Sequence, residues 1–161
     1  MLLMSERYFE DFAVGQTFRS GARAVTAEDI TAFAKDFDPQ PFHLDATAAV
    51  DSLFGGLVAS GWHTAALTMR LLVDSDLKPA RGTIGAGVEE LRWPKAVRPG
   101  DVLHLEGEVT DVRPSRSRPE LGIVKVRANT INQDGDVVQI FSPVLMVRRK
   151  TVAEPVSDPV A

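Results

Sequence analysis

The chain contains no cysteine. Disulfides, thiolate nucleophiles and cysteine-ligated metal centres are therefore excluded from its stability and its chemistry. It has no long apolar run either: nothing approaches the ~18 consecutive apolar residues of a membrane-spanning helix. The apolar start Met1-Leu2-Leu3-Met4 gives way at once to Ser5, Glu6 and Arg7, which is not the core of a signal peptide. A cytoplasmic protein with no membrane partner is expected. A basic excess is also missing. The 22 acidic residues outnumber 18 basic ones for a net charge of -4, the wrong sign for a phosphate backbone, so nucleic acid is not an expected partner.

What is present fits one soluble domain. The length of 161 residues suits a single core, burying roughly 70% of the unfolded surface, and apolar residues make up 44%. We expect the domain over residues 1–150 and a loose tail over 151–161, where Pro155, Ser157, Asp158 and Pro159 cluster. Tyr8 to Gly15 reads as an irregular lead-in and Thr17 to Val25 as a short strand. Thr26 resembles an N-cap, with Glu28 and Asp29 in the first turn of a helix that ends near Asp36, before two prolines. Asp45 can cap a short helix over Ala46 to Ser52. After Gly55-Gly56, the segment Ala59 to Val73 is apolar on several sides, the mark of a buried helix.

Downstream the period changes from helical to two. Leu103, Leu105 and Val109 alternate with polar residues, as do Val124, Val126 and Ala128. Gly87 to Trp93 and Val137 to Val147 are also strand-like, the latter apolar on both faces and so central in a sheet. Pro143 within it suggests a bulge. Arg98-Pro99-Gly100-Asp101 and Asp134-Gly135 carry turn chemistry. The order is strand, helices, one buried helix, then four antiparallel strands, an α+β arrangement in which one sheet wraps a long helix.

The chain has three histidines. His104 lies on the polar face of an alternating strand, and a surface role suffices for it. His63 falls early in the buried helix, as a satisfied core histidine or as part of a pocket wall. His43 differs in its setting, Asp38-Pro39-Gln40-Pro41-Phe42-His43-Leu44-Asp45. Two prolines stiffen a non-helical loop that holds a carboxylate and an imidazole five positions apart. A carboxylate beside an imidazole orients it for general acid–base work; the same residues also occur in ordinary proline-rich turns. A metal site on Asp38, His43 and Asp45 has too few ligands to be favoured.

This stretch resembles the Asp-x-Asn-Pro-x-His motif of the MaoC-like (R)-specific enoyl-CoA hydratases. Asp38, Pro41 and His43 fall on the motif Asp, Pro and His without a gap, while Gln40 replaces the usual Asn with an amide one methylene longer. Gly56-Leu57-Val58-Ala59-Ser60-Gly61-Trp62 resembles the family segment that leads into its central helix, with Ser60 ahead of Gly61 where a His-Gly pair is usual. The resemblance runs from about Tyr8 to Arg149. It implies a single hot-dog fold, an antiparallel sheet wrapped around a long buried central helix. It also implies reversible addition of water to the α,β double bond of an enoyl thioester carried on CoA or acyl carrier protein, with no cofactor and no metal.

In that reading Asp38 and His43 hold the water. His43 takes its proton, and Asp38 positions it and helps to deliver a proton to the α carbon. The Gly61 N–H stabilises the enolate oxygen, as backbone N–H groups at a helix start can. Gln40, Phe42, Ser60, Trp62 and His63 are the residues expected against the substrate. A homodimer or dimer-based oligomer is implied as well. The loop bearing Arg113, Arg116 and Arg118 is either solvated or in contact with CoA phosphates. A hot-dog thioesterase is the competing enzyme, disfavoured because Ala59 to Val73 contains no acid. A non-catalytic acyl-thioester-binding module is the competing non-enzyme.

Overall fold

The computed structural model describes residues 5–150. The expected tail over 151–161 and the apolar start lie outside the described residues. Helices α1 (Ala27–Phe37), α2 (Pro41–Leu44), α3 (Ala46–Ala49) and α4 (Gly61–Asp74) are accompanied by strands β1 (Thr17–Arg19), β2 (Arg23–Ala24), β3 (Ile84–Arg92), β4 (Val102–Pro114), β5 (Leu121–Ile131) and β6 (Val137–Arg148). The antiparallel sheet runs β1-β4-β5-β6-β3, and β2 pairs with β4 beside β1. The expected α+β hot-dog arrangement is the one observed.

Alternation decides which face is covered. Leu103, Leu105 and Val109 on β4, Val124, Val126 and Ala128 on β5, and Val138, Leu145 and Val147 on β6 are buried. They form one cluster with Leu67, Leu71 and Leu72 of α4. Each such side chain contributes about 1.5–3 kcal/mol by leaving water. The helix is less enclosed than its composition suggests, since Met69 and Val73 are exposed. It begins at Gly61 rather than Ala59 because the Ser60 side chain accepts from the Trp62 N–H and caps it. Thr26 caps α1 in the same manner, in a capping box with Asp29.

Several boundaries differ from expectation. The strand read over Thr17 to Val25 is two strands, because Ser20 turns its hydroxyl to the Leu105 N–H and to the Gly21 carbonyl. The helix read over Ala46 to Ser52 is a single turn ending at Ala49. β6 is interior, as expected of a strand apolar on both faces. The bulge anticipated at Pro143 falls on the facing strand: the β3–β6 register shifts between Val88, opposite Pro143, and Glu90, opposite Ser142. A proline lacks the N–H that would keep the ladder regular there.

The lead-in closes against β5 and the residues that follow β6. Phe9 packs so tightly on Gly122 that a Cβ there would lie 1.9 Å from the ring. Glu10 accepts from the Lys150 N–H at 2.9 Å and pairs with Arg149, while Asp11 pairs with the Lys150 ammonium at 2.6 Å.

Candidate active site

The segment from Asp38 to His43 is not the open loop its prolines suggest. Asp38 is the C-cap of α1, its N–H donating to the Ala34 carbonyl at 3.0 Å. Pro41 then opens the single-turn helix α2 and places His43 on it. Proline suits the first helical position, because that N–H has no partner anyway and φ is already helical. The expectation of a non-helical loop is thus corrected, with the stiffness retained.

A buried extended segment, Leu57 to Ser60, runs against α2. Its Val58 N–H donates to the Phe42 carbonyl at 3.1 Å and its Ala59 N–H to the Val97 carbonyl at 2.9 Å. The Val58 carbonyl lies 2.7 Å from His43 Nδ1. A carbonyl only accepts, so Nδ1 carries the hydrogen and, in the neutral ring, Nε2 is the free base. Nε2 faces Asp38 Oδ2 at 3.4 Å, a separation over which one water can serve both groups. The imidazole is buried and the carboxylate partly so.

Asp38 is held as an anion. Ser60 Oγ donates to Oδ2 at 2.6 Å, and Gln40 Nε2 donates to Oδ1 at 2.6 Å. The Ser60 hydroxyl is the largest cause holding the carboxyl below its ordinary value; the Gln40 amide follows, burial opposes, and His43 adds a smaller charge effect. Ser60 therefore has two tasks, as helix cap and as carboxylate donor. Gln40 fills with its longer arm the place where the family pattern has Asn. Phe42 meets the His43 ring edge-on, centroids 4.6 Å apart.

Gly61 N–H stands at the first helical position, where it has no acceptor within its own helix. The need for glycine here is steric: a Cβ would lie 2.8 Å from Trp93 Cε2. Two expected residues pack against other aromatic rings. Trp62 is 60% exposed and meets Trp93 edge-on. His63 is buried and stacked on Phe33 of α1, with centroids 4.8 Å apart; burial pushes its imidazole below the ordinary value, Asp29 opposing and Arg23 adding. Hence the structure brings Asp38, His43, Gln40, Phe42 and Ser60 together and puts Gly61 next to Ser60.

Sequence reasoning missed the Val58 carbonyl, Trp93 and Gln139, whose Oε1 accepts from Trp93 Nε1 at 2.8 Å. The unusual glycine next to a serine was the one local signal of close packing there. A hollow of about 570 Å³ lies elsewhere, bordered by Arg19, Glu106, Glu108 and Asn129 on the sheet face turned away from α4. It contains neither member of the pair, so size does not mark the chemistry. His104 is on that outer face too, beside Glu106. No cluster of metal-ligating side chains occurs among the described residues, and none of their helices is long and apolar enough to cross a membrane.

Residues 11–132 match the model of the MaoC like domain. The chain belongs to the MaoC-like dehydratase family. This MaoC-like domain is 34% identical over 138 residues to the uncharacterized protein YdeM of Bacillus subtilis, covering 86% of this chain and 95% of that one. It is 28% identical over 151 residues to a 3-hydroxybutyryl-CoA dehydratase of Methylorubrum extorquens, covering 93% and 90%. Among solved structures, a MaoC-like dehydratase from Rhodospirillum rubrum is similar with TM-score 0.86 and 55% identity over 91% of this chain and 99% of that one. An R-hydratase from Pseudomonas aeruginosa superposes with TM-score 0.70 and 26% identity, covering 96% of each.

Proposed function

We propose that this protein is an acyl-thioester hydratase/dehydratase that adds water reversibly, with R stereochemistry, to the α,β double bond of an enoyl thioester on CoA or acyl carrier protein. The observation that carries the reading is the pairing of an oriented imidazole with a held carboxylate: His43 Nε2 faces Asp38 Oδ2, each locked by its own partner, Val58 O and Ser60 Oγ. The relatives named as hydratases and dehydratases support it.

Water between the two gives its proton to His43 Nε2, while the Asp38 carboxylate orients it and steadies the imidazolium. The water oxygen bonds the β carbon, and the π electrons move to the thioester oxygen beside the Gly61 N–H. The carbonyl then reforms as the α carbon takes the proton back from His43. A carboxyl held below its ordinary value is a poor proton donor, so His43 rather than Asp38 returns the proton. Gln40 and Phe42 shape the near wall. We also infer a homodimer built on β3, which among the described residues pairs only with β6 and leaves Ile84 and Val88 exposed. Sedimentation equilibrium reads this directly, and a monomer at micromolar concentration would overturn it.

The test is loss of the enoyl chromophore of a trans-2-enoyl-CoA, measured alongside free thiol release. Asp38→Asn and His43→Ala should each lower hydration by at least about 10³-fold, in the range of acid–base losses, with an unchanged circular-dichroism spectrum. Full activity in either variant removes the pair from the mechanism. Thiol release without hydration would favour a thioesterase. The helix that would bear a thioesterase's carboxylate has none before Asp74, which is engaged by Arg70.

A further inference from the structure

Beside its buried leucines, α4 carries a line of buried hydroxyls. Ser60, Thr64 and Thr68 recur every four residues, and their exposures are 0%, 2% and 0%. At about 1.5 Å per residue the line runs some 12 Å inward from the residue that holds Asp38. At its inner end Thr68 Oγ1 and Thr130 Oγ1 lie 2.6 Å apart. Thr130 is paired in register with Gln139 on the neighbouring strand, so both side chains face α4.

Donors in this band go unmet. Trp93 Nε1 can only donate, which fixes Gln139 Oε1 as its acceptor and turns Gln139 Nε2 away from it. That nitrogen is buried and has no partner. Of the two hydroxyl hydrogens on Thr68 and Thr130, one fills their mutual bond, and the structure assigns no acceptor to the other. Unmet donors in an interior cost about 1–3 kcal/mol each, a cost that persists where a ligand meets them. No lysine or arginine is among the buried residues, so a carboxylate would go in uncompensated.

Resting on the hydratase reading, we propose that this band is the acyl subsite and that it selects an acyl chain bearing a neutral oxygen acceptor, such as an ether, keto or hydroxyl group, a few atoms beyond the double bond. Plain alkyl chains leave the Gln139 amide and the threonine hydroxyl unmet, and dicarboxylic chains bring a charge with no counter-ion. Trp93, 42% exposed while bonded to the buried amide, links the subsite to the surface.

Isothermal titration of the intact protein with two saturated acyl-CoAs tests this without requiring turnover. One has a plain chain and the other has a distal methylene replaced by oxygen. The oxygenated chain should bind about five- to tenfold tighter, the factor of one net hydrogen bond. Thr68→Val with Thr130→Val removes both hydroxyls together and leaves neither unpaired; it should reduce the preference, as should Gln139→Met. Equal or tighter binding of the plain chain by the wild type overturns the proposal, whatever the variants do, and so does binding of neither. Failure of the hydratase reading looks different: the binding preference persists while no enoyl thioester is hydrated.

Discussion

Replacing Ser60 with alanine separates two contributions that one oxygen makes. The hydroxyl caps α4 by accepting from the Trp62 N–H at 3.2 Å, and it donates to Asp38 at 2.6 Å. Loss of a cap costs about 1 kcal/mol. Loss of a hydrogen bond to a charged group costs about 1.5–3 kcal/mol, and the Asp38 side chain is only 18% exposed, so water replaces the bond poorly. At pH 7 the variant should therefore be about 2.5–4 kcal/mol less stable.

The pH dependence distinguishes the two parts. Asp38 has a lowered folded pKa, so its share is fully present above the unfolded value of 3.8 and disappears as pH falls through the lower folded value. In acid only the cap should remain, about 1 kcal/mol. Urea unfolding at neutral and acidic pH measures the difference, and carbon-detected titration of Asp38 should show its pKa rising in the variant. Gln40→Ala should raise it less, since Gln40 is the second cause and is exposed. An equal cost at both pH values, with an unmoved Asp38, would reduce Ser60 to a cap and refute the argument.

Two further outcomes follow from packing and burial. Gly61→Ala should destabilise by about 1–3 kcal/mol, as overpacking does, because the new methyl would meet the Trp93 ring at 2.8 Å; Gly61→Ala combined with Trp93→Leu should recover part of the loss in thermal melts. His63 has a lowered folded pKa, so the unfolded chain binds the proton more readily and stability falls as pH drops below the unfolded value of 6.5. His63→Phe should flatten that fall in unfolding curves taken between neutral and mildly acidic pH, and an unchanged slope would contradict it.

What was legible in the sequence was local or periodic. Thr26 and Asp29 announced the start of α1, and the alternation around Leu105 and Val126 announced β4 and β5, because those signals lie within a few residues of each other. Asp38 and His43 were legible by spacing and family motif. Their supports were not. The Val58 carbonyl is backbone and has no residue signature, and it reaches His43 across 15 positions. Trp93 meets Gln139 across 46, a distance over which only the closed sheet brings them together. The short helix α2 was hidden because Pro41, read as a helix breaker, occupies the one position where proline starts a helix. The stacking of His63 on Phe33 was not legible, since helix position 3 alone does not say which way a side chain turns.

The clasp between the first and last described residues bears on how the molecule is made. Phe9 needs Gly122, and Glu10 and Asp11 need Arg149 and Lys150, about 139 positions away. On the ribosome Phe9, Glu10 and Asp11 emerge well before Gly122, Arg149 and Lys150 do. The apolar side chains Phe9 and Phe12 must then wait in solvent or in passing contacts until the chain has been made at least as far as β5, which exposes the nascent protein to mispairing before that point. Assembly of this fold therefore does not follow the direction of translation step by step: the segment at Phe9 to Asp11 stays open until residues more than a hundred positions downstream are in place.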